Sequence, residues 1–158
     1  MKSEYPNCPV IPVRIFGGEV LCMIDTGATI TSISERLADL IEKSGLKKSW
    51  EINEQVKAFG NTEVTMKRKI QCHIQFGNGP HSYEPVFVHN DTPFDVAIGH
   101  DVCKALGLDI KYSNRTLEQD ELATPWLTNM QAYRSIQEID ERFSSQDFRL
   151  SHPLYHPV

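Results

Sequence analysis

Apolar and polar positions along this chain change period several times, and each change marks an element. Val10 to Phe16 reads as a strand ending at Gly17-Gly18, a pair suited to a two-residue hairpin turn, with Glu19 to Ile24 as the returning strand. Beyond Asp25-Thr26-Gly27-Ala28, the β-branched run Thr29-Ile30-Thr31-Ser32-Ile33 resumes extended structure. The period then becomes helical. Ser34 is an N-cap candidate, Leu37, Leu40 and Ile41 share one helix face, and Gly45 is a stop, so a helix is predicted over 34–44. Gln55–Phe59 and Glu63–Phe76 form two extended arms around Gly60-Asn61. They are followed by a turn at Gly77-Asn78-Gly79-Pro80 and a short strand over Glu84–His89. Asp95–Ile98 is an apolar strand stopped by Gly99, His100–Leu106 a short helix closed by Gly107, and Leu108–Tyr112 a last strand. From Ser113 the composition turns polar. A helix is predicted at about 126–143, where Trp126, Met130, Tyr133, Ile136 and Ile139 make a stripe, and 144–158 lacks periodicity. The pattern thus gives a domain over 8–112 and an extension over 113–158.

Composition narrows the function classes. A chain of 158 residues with 40% hydrophobic residues suits one globular domain with a tail. The net charge of −5 and the lack of any basic block beyond Lys67-Arg68-Lys69 disfavour nucleic-acid binding, which needs a concentrated cationic face. Cys8, Cys22, Cys72 and Cys103 are scattered without a CxxC pair. No signal-peptide pattern opens the chain, and its longest apolar run is too short to span a membrane. A reducing intracellular setting, cytoplasmic by default, is therefore expected. Cys72-His73 with His100 and Cys103 could be imagined as metal ligands. Neighbours on a strand point to opposite faces, however, so neither a metal nor a cofactor is expected.

The candidate chemistry is carried by Asp25-Thr26-Gly27-Ala28, which follows the apolar run Val20-Leu21-Cys22-Met23-Ile24 and occurs once. A buried strand opening onto this turn sets one carboxylate at the rim of a sheet. Read alone, the tripeptide is more often an ordinary turn. It gains weight from Ala28, from the strand before it, and from Val96-Ala97-Ile98-Gly99 running later into a helix and Leu106-Gly107-Leu108-Asp109-Ile110.

In this order of parts, residues 8–112 resemble the retropepsin-like aspartic proteases of retroviruses, long-terminal-repeat retrotransposons and their domesticated cellular relatives. The resemblance implies a mainly β fold, a closed β-barrel with one or two short helices, followed here by the partly helical extension. It implies a homodimeric endopeptidase that hydrolyses peptide bonds in extended segments of a protein substrate, through water activated between two copies of Asp25. Thr26 and Gly27 would support the active-site loop. Gly27, Ala28 and Thr29 from that loop, with Ala58, Phe59 and Gly60 from a covering hairpin, would contact substrate. Ile98 and Gly99 would pack beneath. The natural substrate would be a retroelement polyprotein or a dedicated cellular protein. Members of the family often pair an acidic residue two positions after the motif glycine with an arginine after the later Ile-Gly. Here those places hold Thr29 and His100, and the covering hairpin has a single glycine, Gly60. These departures leave a second expectation beside the protease: a catalytically weak dimerisation or peptide-binding module on the same fold.

Overall fold

Strand β1 (Val10–Ile15) turns back into β2 (Gly18–Ile24), with pairs running from Val10↔Met23 to Ile15↔Gly18. The computed structural model describes residues 9–25, 27–58, 62–77, 79, 81–90, 94–111, 115–119 and 122–125. The hairpin turn is Phe16-Gly17, one residue earlier than the glycine pair suggests, and both residues have positive φ, 49° and 82°. A phenylalanine there costs about 1–3 kcal/mol. Burial offsets it: the Phe16 ring packs beside His73 and Tyr83, and its N–H donates to the His73 carbonyl at 3.2 Å.

The extended run expected over 29–33 shortens to β3 (Ser32–Ile33), because Thr29 and Thr31 spend their polar groups on other segments. Helix α1 (Glu35–Lys43) forms where its pattern places it. The Ser34 hydroxyl accepts from the Leu37 N–H, while Leu37, Ala38 and Ile41 are buried. At its end Gly45 takes φ 76°, with Gly45 N–H bonded to Glu42 and Leu46 N–H to Ile41. This left-handed cap satisfies the last carbonyls and needs glycine.

The long hairpin comprises β4 (Ser49–Ala58) and β5 (Thr62–Gln75). β4 starts well before Gln55. Its first half is mostly polar and shows no alternation, so backbone pairing with β5, not an apolar face, defines it. Between Glu51↔Arg68 and Glu54↔Met66 the register shifts, a bulge that bends the arm. β6 (His81–Val88) returns antiparallel to β5 and begins three residues before the predicted strand, where His81 and Tyr83 stack around His73.

β7 (Val96–Ile98) is the keystone. It lies between β2 and β3, parallel to the first and antiparallel to the second. The strand order is β1-β2-β7-β3-β6-β5-β4, and β1 also pairs with β5 through Arg14↔Gln75 and Ile15↔Ile74. The last pairing brings the sheet back upon itself. It encloses a core that includes Ile11, Val13, Ile15, Val20, Cys22, Ile24, Ile33, Ile70, Ile74, Val96 and Ile98, with Leu37 and Ile41 from α1. Helix α2 (His100–Leu106) adds Val102 and Cys103.

Thr116–Gln119 and Leu122–Pro125, which polar composition assigns to the extension, are two strands. β8 (Asp109–Lys111), β9 (Thr116–Gln119) and β10 (Leu122–Pro125) make a three-stranded antiparallel sheet. Leu117 is 3% exposed and belongs to the core. The helix predicted at about 126–143 lies outside the described residues. Among the described residues no helix is long and apolar enough to cross a membrane.

Candidate active site

The carboxylate of Asp25 stands where β2 leaves the sheet. Ile24 N–H donates to the Pro9 carbonyl at 2.9 Å, and Asp25 N–H to the Ile98 carbonyl at 2.8 Å. The backbone of Asp25 thus continues the β2–β7 ladder while its half-buried side chain reaches the rim. The turn beyond it is closed twice. Ala28 N–H bonds back to the Asp25 carbonyl at 3.1 Å, and Gly27 N–H donates to Asp25 Oδ1 at 3.0 Å. A Cβ at Gly27 would come within 3.2 Å of that same Oδ1. Glycine therefore leaves room beside the carboxylate, in addition to any room it leaves for a ligand.

The loop is stitched to the start of α2. His100 N–H donates to the Ala28 carbonyl at 2.8 Å, and Gly99 N–H to Thr31 Oγ1 at 3.0 Å. The Thr31 hydroxyl donates to Asp101 Oδ1 at 2.7 Å and its N–H to Oδ2 at 3.2 Å, while Val102 N–H also reaches Oδ1. A Cβ on Gly99 would fall 2.1 Å from the Ile30 carbonyl oxygen. Only glycine lets the two segments lie this close.

Thr31 and Asp101 carry this joint, and neither stands out in sequence. Thr31 reads as one β-branched residue in an extended run, and Asp101 as an ordinary first-turn acid. The signal was positional: with Thr29 and His100 in place of an ion pair, some other tie had to hold loop to helix. Thr29 takes a different partner. Its exposed hydroxyl donates to the Lys57 carbonyl near the end of β4 at 3.1 Å.

Of the residues the sequence singles out, Asp25, Gly27, Ala28, Ile98 and Gly99 meet in this one corner, and Thr29 links it to the hairpin. Ala58 ends β4, its backbone paired with Thr62. Thr26, Phe59 and Gly60 lie outside the described residues.

Below the loop, Cys22 and Cys103 are buried. Burial, and then proximity to Cys103, hold the Cys22 thiol well above its ordinary range. Cys103 is pushed up to about 11 by burial and by Asp101. Protonated thiols are poor nucleophiles, so neither cysteine is a candidate nucleophile here. Cys72 lies in the core while His73 stacks against His81 on the other side of β5, which separates that pair as ligands.

Residues 11–110 match the family model described as aspartyl protease. No curated protein sequence matches the chain. Among solved structures, the retroviral protease-like domain of Ddi1 from Leishmania major is similar at TM-score 0.58 with 20% identity. That match covers 79% of this chain and 98% of the other. The EIAV protease complexed with the inhibitor HBY-793 is similar at TM-score 0.50 with 18% identity, covering 68% of this chain and 95% of the other. At these identities the likeness concerns the fold, which is retropepsin-like.

Proposed function

Since the chain belongs to the aspartyl protease family, we propose that it is a homodimeric aspartic endopeptidase acting on extended segments of a protein substrate. The observation that carries this reading is the Asp25 carboxylate at the end of β2, oriented by the Gly27 amide and anchored through Ile98. The chain contains one Asp-Thr-Gly, so the second carboxylate must come from another copy.

Two carboxylates facing each other at close range share one proton, because like charges that near cannot both ionise. The ionised member takes a proton from a bound water as that water attacks the peptide carbonyl. The protonated member hydrogen-bonds the carbonyl oxygen, and a proton passes to the departing amine as the tetrahedral intermediate collapses. No metal and no covalent intermediate enters. Gly27, Ala28 and Thr29 would face the substrate from below and Ala58, Phe59 and Gly60 from above. Thr26 would hold the loop, while Ile98 and Gly99 support it. A substrate lying between loop and hairpin would be read as an added strand. Its source, a retroelement polyprotein or a cellular protein, is a separate question from the chemistry.

Peptide-library cleavage at mildly acid pH by wild type and Asp25→Asn tests the assignment. A loss of at least about a hundredfold in Asp25→Asn is expected, the scale of a lost general acid–base group. Equal activity in the two proteins would overturn it, and binding without cleavage by wild type would instead favour the peptide-binding module.

A further inference from the structure

The hydrogen bond from Thr29 to Lys57 joins two parts that the proposed reaction needs to separate. Thr29 belongs to the loop fixed through Asp25, Ala28 and His100, whereas Lys57 sits one residue before the end of β4. β4 is the terminal strand in its sheet order, paired with β5 through Val56↔Val64, Lys57↔Glu63 and Ala58↔Thr62. Backbone groups on the far side of an edge strand are open to whatever chain lies alongside. At Lys57 the carbonyl is taken by a side chain from the catalytic loop.

An added strand needs about 4.8 Å on each side, so a peptide between the loop and β4 would hold them roughly 9–10 Å apart. Thr29 Oγ1 and the Lys57 oxygen are 3.1 Å apart, and with each oxygen about 2.4 Å from its own Cα the two backbones stand at most about 8 Å apart. Bound peptide and this hydrogen bond are therefore mutually exclusive at that point. We propose that Thr29 is a positioning residue, a latch whose hydroxyl holds the stem of the β4–β5 hairpin on the catalytic loop in the empty enzyme and yields the Lys57 carbonyl when an extended peptide enters. The latch rests on the protease reading for its role, though not for its existence.

Two predictions separate these. In amide hydrogen exchange without substrate, Thr29→Val keeps the side-chain shape and removes the donor. Peptides covering 51–58 and 62–70 then exchange about two- to tenfold faster, the effect of one modest hydrogen bond. Thr29→Ser exchanges as wild type, and the β1–β2 and α1 peptides are unchanged in both. Wild-type rates in Thr29→Val, or equal acceleration in Thr29→Ser, would overturn the latch. In cleavage assays Thr29→Val lowers KM by a similar factor while Thr29→Ser keeps the wild-type KM, since substrate no longer competes with the hydroxyl. A raised KM would show that Thr29 holds substrate and does not compete with it. Failure of wild type to cleave any peptide would remove the protease reading while leaving the exchange result to decide the latch.

Discussion

Asp101 ties the segment that follows the Asp25 turn to the start of helix α2. Its carboxylate collects the Thr31 hydroxyl, the Thr31 amide and the Val102 amide, so Asp101→Ala leaves buried Thr31 groups without those acceptors. A loss of about 1–3 kcal/mol in stability is expected. Cleavage should fall further than the unfolded fraction explains, as measured by denaturant titration beside kinetics. Gly99→Ala meets the Ile30 backbone and should be worse, giving little folded protein. His73 shows what the environment adds beyond sequence. Burial first, and then His81, hold it below the ordinary histidine value of 6.5. As pH falls through that value the unfolded chain binds a proton that the folded chain resists, so stability drops on the acid side. Thermal melts from about pH 8 to about pH 5 should show this loss in wild type and less of it in His73→Phe. The sequence displayed Asp25, Gly27 and Gly99 because motif and order mark them. It hid Thr31 and Asp101 because their meaning lies in a contact between distant segments.

Helix α1 was legible to within one residue at each end, because its cap, stripe and terminal glycine are local signals, whereas the start of β4 was not. A polar edge strand carries no alternation, and its extent is decided by the partner strand. What ties helix and hairpin together is equally non-local. Arg68 on β5 meets Asp39 at 2.9 Å and also bonds Glu42 and Ser49. The Ser49 hydroxyl first, and Arg68 second, hold the Glu42 carboxyl below its usual range. The stability this gives is present above the unfolded value of 4.5 and is lost as pH falls through the lower folded value. Arg68→Met should cost about 1 kcal/mol, because the cluster is partly solvated, and the penalty should shrink at low pH. On the other side of α1, Asp95 receives the Ser34 hydroxyl at 2.6 Å and Arg36 Nε at 3.1 Å. Ser34→Ala removes a helix cap and an Asp95 donor together, for about 1–2 kcal/mol in a chemical melt.

At the scale of the molecule, composition drew the chain's division near residue 112, yet Leu117 packs in the core and β9 and β10 continue from β8. One inward leucine among polar neighbours is a faint signal. Leu117→Ala should nonetheless cost about 2–4 kcal/mol, as a filled core site does. The fold places the Asp25 carboxylate, one per chain, at a rim, so the proposed protease stands or falls on pairing. The most direct test mixes wild type with increasing Asp25→Asn at fixed wild-type concentration and follows peptide cleavage, with sedimentation reporting assembly. Cleavage should decline as mixed pairs form, and wild type alone should lose specific activity on dilution in step with its dimer fraction. Activity per chain that stays constant into the monomer range, unaffected by added Asp25→Asn, would contradict the account.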